Sequence, residues 1–409
     1  MSPDGLLGKT EAPAIEEFVA RSDRAVLLGF ATDAATEATL REGLAGILPT
    51  APDIRRANIR QAMMALQHGT APTTLIIDVS GEAQPLGALE DLSQVVEPDV
   101  NVLVIGDRQD MDFYRRITRG LGVREYLFKP LTAEMVARHF GPALGGRSEP
   151  GNVLRGGRVI AVVGARAGSG ASTVASNLAW YLGALANRHT LLLDADLQTG
   201  TAALMLGMQP GPALRAGLET PDRLDELYVG RAVQAASPRL DVLASEGPLD
   251  EHFRYCTGAT ETLLDLLQRR YNFIVVDLPI GNSPMLRVLR EHAHQSIVVL
   301  DPSLPAIRDT LRIVALATGP RQVRRPLIVL NRAGTPGGFN KGQVEEALQM
   351  PADIIIPDIG RRAREAELSG KPAVAARGPM RDAIAEIALR TATVRPTAVR
   401  GRFLQRIFG

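Results

Sequence analysis

Residues 164–173 read Gly164-Ala-Arg-Ala-Gly-Ser-Gly-Ala-Ser-Thr173 and follow the apolar run Val159-Ile-Ala-Val-Val163. A strand, a glycine-rich turn and a helical pattern form the context of a phosphate-binding loop, whose backbone N–H groups point into one concavity. Ser172 stands where the hydroxyl that coordinates Mg²⁺ belongs, but the preceding position, normally lysine, is Ala171. The loop is therefore predicted to cradle phosphates with one positive charge missing. The alternative interpretation is a turn rich in glycine and alanine that binds nothing.

Two further apolar runs end in carboxylates. The run Leu191-Leu-Leu-Asp-Ala-Asp196 carries Asp194 and Asp196, and the run Phe273-Ile-Val-Val-Asp-Leu-Pro-Ile-Gly281 carries Asp277. Apolar strands that each deliver polar groups at the carboxyl end are typical of a doubly wound parallel sheet, with the ligand over that edge. We therefore expect an α/β fold in which the three motifs meet at one edge of a sheet.

Length and composition narrow the class of protein. A chain of 409 residues suggests two or three domains. The net charge of +1 argues against general nucleic-acid binding, and no specific nucleic acid is expected. The single cysteine, Cys256, excludes an internal disulfide framework and fits a reducing cytosol. No apolar run is long enough for a transmembrane helix and no signal-peptide pattern is present, so we expect a cytoplasmic protein.

Periodicity and loop composition divide the chain into five segments. They are a flexible N-terminus over 1–22, an α/β domain over 23–141, a linker over 142–157, a second α/β domain over 158–390 and a tail over 391–409. The strands predicted in the first domain are Ala25–Gly29, Thr74–Asp78, Val102–Gly106 and Glu125–Phe128. Alternation of strands with helical patterns predicts a doubly wound parallel sheet in each domain. The resemblances described below imply a flavodoxin-type sheet in the first domain and a P-loop-type sheet in the second.

The first domain places Asp78 at the end of one strand and Lys129 after another. This arrangement resembles the receiver domain of response regulators, which implies a phosphoacceptor role for Asp78 and a phosphoryl-contacting role for Lys129. A working receiver also needs an acidic pair after its first strand to hold Mg²⁺. Those positions read Gly29 and Phe30, and Asp33 lies in the loop beyond them. We therefore favour a pseudo-receiver used for dimerisation or partner docking over one that is phosphorylated.

The three motifs of the second domain together resemble the ParA/MinD group of deviant Walker ATPases. The resemblance implies ATP and Mg²⁺ as cofactors, with Ser172, Asp277 and Asp196 at the metal. Asp196 would also position the attacking water, and Gly281 would sense the γ-phosphate. Arg166 occupies the position of the family's signature lysine, which reaches the partner subunit's phosphates across a homodimer. The nucleotide contacts implied are Ala167, Gly168, Ser169, Gly170, Ala171, Ser172, Thr173, Asn331, Arg332 and Pro357, with Asn331 reading the adenine edge.

A narrower resemblance covers nearly the whole chain. The altered loop, the receiver-like domain in front of it and stretches such as Leu193-Asp-Ala-Asp-Leu-Gln-Thr-Gly200 and Leu304-Pro-Ala-Ile-Arg-Asp309 are similar to the CpaE/TadZ group. That group places the type IVc (Tad/Flp) pilus secretion machinery in the cell. The resemblance implies partners among the pilus secretion ATPase, its platform components or a polar landmark, and a location at the cell pole or the inner face of the plasma membrane. The sequence departs from the group at Ala167, where glycine is usual.

The tail contains Arg402-Phe-Leu-Gln-Arg-Ile-Phe408, which places its apolar residues on one helical face with arginines beside it. A basic amphipathic helix of this kind binds a membrane surface or docks on protein, and its shortness leaves both open. The function expected for the whole chain is an ATP-binding spatial regulator with slow or absent hydrolysis. One alternative is an active MinD/ParA-type ATPase that positions division, flagellar or partition machinery. Another is a phosphorylation-driven signalling output.

Overall fold

The structure, a computed structural model, describes residues 24–48, 51–68, 70–145, 157–251, 253–316, 319–322 and 324–392. These residues form two α/β domains, each built on its own sheet. The segments predicted as a flexible N-terminus, 1–22, and as an amphipathic stretch, 402–408, lie outside the described residues. Within the described part of the chain, every helix is too short or too polar to cross a bilayer.

The first domain has a five-stranded sheet in the order β2-β1-β3-β4-β5, and every pair is parallel. The strands are β1 (Leu27–Ala31), β2 (Asp53–Arg56), β3 (Thr74–Asp78), β4 (Asn101–Gly106) and β5 (Glu125–Phe128). This is the flavodoxin-type order, in which ligands bind outside the carboxyl ends of the strands. The predicted fold class is confirmed for this domain.

Helices cover both faces of the first sheet. They are α1 (Ala34–Leu44), α2 (Ile59–His68), α3 (Pro85–Ser93), α4 (Met111–Arg115, continued by a π-helical turn to Gly120) and α5 (Ala133–Gly145). On one face α1 and α5 bury Leu40, Leu44, Val136 and Phe140 against the strands. Because β3 and β4 have apolar residues on both sides, they read as the continuous apolar runs that are typical of a doubly covered sheet.

Three sequence predictions for the first domain need correction. The first strand runs over Leu27–Ala31 rather than Ala25–Gly29, because its pairing with β2 and β3 extends through Phe30 and Ala31. Strand β2 was missed, since Ile54 is the only buried residue of this edge strand. Helix α5 includes Pro142, which had been placed in the linker, because Ala143 still packs into the core beside α1.

The second domain has an eight-stranded sheet in the order β13-β12-β11-β6-β10-β7-β9-β8, parallel except for the β8–β9 pair. The strands are β6 (Arg158–Gly164), β7 (Thr190–Asp194), β8 (Gln234–Ser237), β9 (Leu240–Leu243), β10 (Phe273–Leu278), β11 (Gln295–Leu300), β12 (Leu327–Ala333) and β13 (Ile354–Pro357). The central strands β6, β7 and β10 lie side by side. The carboxyl ends of the three motif strands therefore meet at one edge.

Nine α-helices of the described residues surround this sheet. They are α6 (Ala171–Trp180), α7 (Ala213–Glu219), α8 (Glu226–Ala232), α9 (Ala259–Arg270), α10 (Pro284–Glu291), α11 (Leu304–Val314), α12 (Lys341–Leu348), α13 (Gly360–Ser369) and α14 (Pro379–Ala392). On one face α6 and α14 form the core with residues such as Leu178 and Ile384. On the other face α9 and α10 pack at one end and α11 and α12 at the other. The doubly wound prediction is confirmed for this domain as well.

The domains contact each other through the amino ends of their sheets. Glu97, in the loop before β4, is 6% exposed and is bonded by Arg24 of its own domain and by Arg239, which precedes β9, at 2.9 Å. Asn272, which precedes β10, donates its amide to the carbonyl of Val96 at 2.6 Å. Both carboxyl edges, where the predicted sites lie, therefore face away from the contact between the domains.

Candidate functional site

The glycine-rich loop connects β6 to α6 in the conformation that its glycines permit. Gly168 and Gly170 have φ values of 82° and 94°, in the left-handed region that disfavours other residues. A Cβ on Gly170 would also lie 2.3 Å from the amide nitrogen of Asn331. Ala171, Ser172 and Thr173 form the first turn of α6, so the free N–H groups of the helix terminus and of the loop share one concavity.

Asn331, at the end of β12, braces this loop from the side. It is 6% exposed, and its amide donates to the carbonyl of Ser169 at 2.8 Å. The sequence assigned Asn331 only to the adenine edge, so the structure adds a contact that the sequence reading missed. Arg332 is exposed with a φ of 55°, and Pro357 at the end of β13 pairs with Ala333 beside it. Base contacts by Asn331, Arg332 and Pro357 stay a prediction.

The carboxylates of β7 and β10 meet under the loop. Asp277 pairs in register with Asp194, and the hydroxyl of Ser172 donates a hydrogen bond to Asp277. Burial raises the pKa of Asp277 to about 7 despite this bond, and repulsion from Asp194 and Asp196 adds to the effect. Burial likewise raises the pKa of Asp194 to about 6, against the bonds that it accepts from backbone amides. In the described part of this domain, no lysine, arginine or histidine forms an ion pair with these carboxylates, so their charge is uncompensated when they are ionised.

Asp194 and Asp196 both organise the loop after β7. Asp194 accepts hydrogen bonds from the backbone N–H groups of Asp196, at 3.1 Å, and Ala202, at 3.0 Å. Asp196 is partly exposed and accepts from the backbone N–H groups of Gln198 and Thr199, and from the hydroxyl of Thr199 at 2.6 Å. To position a water molecule, the carboxylate of Asp196 has to give up some of these hydrogen bonds from Gln198 and Thr199. Its catalytic role stays a prediction.

The oxygen donors at this edge suit a magnesium ion. A hydroxyl from Ser172 meets a carboxylate from Asp277, and Mg²⁺ takes one or two such protein ligands together with water and phosphate oxygens. Among the described residues, no group of three or more acidic, histidine or cysteine side chains has the geometry to hold a metal alone. The ion would therefore be held together with phosphate oxygens and water, and a role for Asp196 at the metal stays a prediction.

Arg166 and Gly281 line one cavity of about 590 Å³ beside the loop. Gly281 lies in the turn between β10 and α10, and its neighbour Ile280 is 58% exposed. The other charged residues of the cavity are Arg290, Arg308, Asp309 and Arg312. The sequence did not indicate that these arginines lie around Arg166, because they come from the separate helices α10 and α11. The cavity is open, basic and partly apolar.

The receiver-like pocket of the first domain is closed by its own side chains. Asp78 is completely buried, and Lys129 donates to its carboxylate at 2.8 Å. The backbone N–H of Ser80 donates to one oxygen of this carboxylate at 2.9 Å, and the hydroxyl of Thr32 donates to the other at 2.6 Å. Burial alone would raise the pKa of Asp78, but the bonds from Lys129, Ser80 and Thr32 outweigh it and the pKa is lowered. Both oxygens that a phosphoryl donor would need are already engaged.

Asp33 lies beside Lys129, in the region after β1 where the sequence analysis found no acidic pair. Since β1 ends at Ala31, the residues after it are Thr32 and Asp33 rather than Gly29 and Phe30. Asp33 caps α1 and accepts from Lys129 at 2.6 Å, a bond that lowers its pKa strongly. The pocket therefore holds one acidic residue instead of a pair, and that residue is already paired with lysine.

Tyr126 fills the space beside Gly106, the last residue of β4. A Cβ on Gly106 would lie 2.6 Å from the hydroxyl of Tyr126, which donates to the carbonyl of Arg108 at 2.9 Å. A serine or threonine therefore cannot replace Gly106 unless the tyrosine moves. The hydroxyl of Tyr126 therefore occupies the space beside Gly106 at this edge of the sheet.

Comparison with known proteins gives similarity over the second domain. No family model matches the sequence. A MinD protein of Guillardia theta, named for septum-site determination, is 25% identical over 214 residues, which are 49% of this chain and 75% of that protein. The crystal structure of a ParA family ATPase from Chlorobium tepidum superimposes with a TM-score of 0.52 at 25% identity, over 57% of this chain and 98% of that one.

A pilus assembly protein is also among the solved structures that resemble part of this chain. The crystal structure of a pilus assembly protein CpaE from Caulobacter crescentus covers 29% of this chain with a TM-score of 0.27, which bears on neither fold nor function. The narrower resemblance thus stays a prediction from the sequence. About half of this chain is therefore similar, in sequence and in fold, to ParA/MinD P-loop ATPases.

Proposed function

We propose that the protein is an ATP-binding spatial regulator that dimerises when loaded with nucleotide and hydrolyses it slowly or not at all. One observation carries the proposal: the loop amides, Ser172 and Asp277 converge at one sheet edge, while the lysine position is Ala171. The binding elements are therefore present, and one element that stabilises charge on the leaving phosphates is absent. Mg²⁺ held through Ser172 and Asp277 would neutralise charge on the bound phosphates.

The first domain supports a docking role instead of a signalling switch. Its Asp78 is bonded on both oxygens and is paired with Lys129. We infer that this domain recognises a partner through its fixed surface, as a pseudo-receiver. Incubation with a small phosphodonor should leave Asp78 unlabelled. An acyl phosphate that is lost in Asp78→Asn would contradict this role.

The cellular process proposed is placement of the Tad/Flp type IVc pilus machinery, in the cytoplasm at a pole or at the inner membrane face. The support is the loop Gly-Ala-Arg-x-Gly-x-Gly-Ala-Ser-Thr together with a receiver-like domain in front of it. Deletion of the gene should abolish surface pili and disperse a fluorescent fusion of the secretion ATPase, while division stays normal. Normal piliation with misplaced septa would overturn this assignment.

A second candidate is an active positioning ATPase of the MinD or ParA type. The similarity to a protein named for septum-site determination favours it. The two candidates differ in turnover, because a cycling ATPase must hydrolyse ATP when it meets its partner. Ala171 argues against this candidate, since loss of one electrostatic contact to the reacting phosphates costs about 10²–10³ in rate.

Dimerisation is tested at Arg166, which lines the open cavity beside the loop. Two nucleotides held face to face repel each other, and a cation from each subunit would offset that repulsion. Arg166→Ala should leave nucleotide affinity within a few-fold and weaken ATP-dependent association about tenfold or more. Arg166→Lys should retain most of the association, because charge at that point counts more than the planar fork.

Sedimentation of the wild type and both variants, with and without a slowly hydrolysed ATP analogue, measures this association. Arg312→Ala is a control from the same cavity, since Arg312 lies on α11, outside the loop. Dimerisation of Arg166→Ala at wild-type strength would show that Arg166 does not act across the interface.

A further inference from the structure

The predicted nucleotide site contains three carboxylates, and no basic side chain of the described residues is paired with them. Asp277 lies at its floor, and the charges of Asp194 and Asp196 both act on it. Within the described part of the second domain, none of the three forms an ion pair with lysine, arginine or histidine. Their hydrogen-bond partners are the hydroxyls of Ser172 and Thr199 and backbone amides. A phosphate chain that enters this site at a pH where these carboxylates are ionised therefore meets uncompensated negative charge.

The two loop positions from which a cation could reach the phosphates do not supply the missing positive charge. Ala171 stands where a P-loop lysine would reach the phosphates, and its methyl group packs against the core of α6 and α14. Arg166 is exposed and lines the neighbouring cavity, where Asp309 lies close enough to share its charge. The loop amides remain, but they carry only partial charges.

We infer that capture of ATP at this site requires a divalent cation, with Mg²⁺ supplying the positive charge that Ala171 does not, and that metal-free ATP is repelled by Asp194, Asp196 and Asp277. The inference rests on the proposed ATP binding and specifies how it is controlled. In a P-loop with lysine, the ammonium group offsets phosphate charge whether or not metal is present. Here the metal and the nucleotide must enter together.

Calorimetric titration of the full chain with ATP, in excess MgCl₂ and in excess EDTA at about pH 8, where carboxylates are ionised, tests this dependence. We expect affinity to fall about 10- to 100-fold when Mg²⁺ is removed, the worth of one charge-assisted contact. Equal affinity in both buffers would overturn the inference and leave ATP binding intact. Absence of binding in both buffers would overturn the proposed function as well.

Two variants separate charge from structure. Ala171→Lys restores the cation, and we expect the deficit in EDTA to shrink to a few-fold. Asp277→Asn keeps the size of the side chain and removes a charge, so it should strengthen binding of metal-free ATP and weaken binding of ATP with Mg²⁺. A disturbance of packing would weaken binding of ATP both with and without Mg²⁺. Changes of opposite sign would therefore show that the charge of Asp277 is responsible. A uniform loss in Asp277→Asn, with no rescue by Ala171→Lys, would overturn the inference.

Asp265→Asn provides the control for loss of a carboxylate. Asp265 lies exposed on α9, away from the loop. We expect its titrations to match those of the wild type in both buffers. A shift as large as that of Asp277→Asn would mean that net charge of the protein, and not the charge at the loop, sets the affinity for metal-free ATP.

Discussion

Both sheets of this protein have a buried carboxylate at the carboxyl edge, but the surroundings shift the pKa values of the two carboxylates in opposite directions. In the first domain Asp78 is fully buried, paired with Lys129 and bonded on both oxygens, so its pKa is lowered. In the second domain Asp277 is buried with a single hydroxyl partner, and its pKa is raised to about 7. The first edge is electrostatically closed, while the second lacks a cation. Fold alone therefore does not decide which edge binds a ligand.

The difference follows from one residue at each edge. Lys129 reaches back across the first sheet and donates hydrogen bonds to the carboxylates of both Asp78 and Asp33. At the second edge the lysine position is Ala171, whose methyl group belongs to the core. Removing the lysine partner of a buried carboxylate is destabilising, and a buried carboxylate that has no such partner leaves a place for a metal.

The largest expected effect is a loss of stability in Lys129→Met, which removes the lysine bonded to Asp78 and Asp33. Asp78 would then be buried without a counter-ion, and the first domain should lose about 3–5 kcal/mol of stability. Hydrogen exchange of the β1 and β3 amides measures this loss in the domain concerned, because the single tryptophan, Trp180, lies in the second domain.

The double variant Asp78→Asn/Lys129→Met should recover most of the protection, because the uncompensated charge is gone. Lys341→Met is the matched control, since Lys341 is exposed and its ion pair with Glu345 on α12 is worth about 0.5 kcal/mol or less. Exchange in Lys129→Met at the wild-type rate would mean that Asp78 does not need its lysine.

The next largest effect concerns the rate of ATP hydrolysis at the second edge, which carries Asp277 and which we call the open edge. Without a lysine at Ala171, we expect turnover about 10²–10³-fold below that of ordinary kinases, because stabilisation of charge on the transferred phosphoryl group is the main catalytic contribution. Steady-state phosphate release measures the rate, and Asp196→Ala gives the background. Kinase-like turnover that disappears in Asp196→Ala would contradict the assignment of a weak ATPase.

The open edge should depend on its backbone, which Gly170→Ala tests. The added Cβ would collide with Asn331 at a residue whose φ is 94°, so we expect ATP affinity to fall about 100-fold. Gly258→Ala is the matched control, because Gly258 also precedes a helix at a φ of 84° and has open space around it. It should cost about 1 kcal/mol of stability and leave ATP affinity unchanged.

A smaller effect is expected from acid at His294, which supports the strand beneath the loop. Its Nδ1 accepts the backbone N–H of Val159 in β6 at 3.0 Å. Burial lowers the pKa of His294 to about 4, and the charges of Arg158 and Arg321 add to the shift. Since the folded pKa lies below the unfolded value, stability is complete above the unfolded pKa and is lost as pH falls towards the folded one.

Between about pH 7.5 and pH 5 we expect a loss of about 1–2 kcal/mol through this histidine. Urea unfolding followed by Trp180 fluorescence measures it in the second domain. His294→Gln keeps a neutral acceptor for Val159 and should flatten the pH dependence. An equal loss in His294→Gln would assign the acid sensitivity to other groups.

Sequence reasoning identified both sheets because apolar strands alternate with helical patterns, and because parallel strands bring their carboxyl ends together. It found the loop, Asp194 and Asp277 for the same reason. It misplaced the end of β1, since the boundary depends on hydrogen bonds to β2 and β3. As a result, Asp33 was read as a loop residue beside the pocket instead of as a partner of Lys129.

Contacts between segments far apart in the chain were beyond the sequence. The amide of Asn331 bonds to Ser169, and the hydroxyl of Tyr126 lies where a side chain on Gly106 would have to be. Neither contact has a local pattern, because each depends on how two strands end relative to one another. The arginines around Arg166 were missed likewise, since they come from helices on the face of the sheet.

The contact between the two domains has a consequence for how this protein could have diverged. Glu97, Arg239 and Asn272 join the domains at the amino ends of both sheets, and the two polar edges face away from that contact. Substitutions at sites so far apart, with no shared partner, have effects that add. Descendants could therefore lose an acidic pair at one end, or a lysine at the other, without a compensating change at the opposite end. Each edge would be free to drift towards a role of its own, while the surface that joins the domains constrained both.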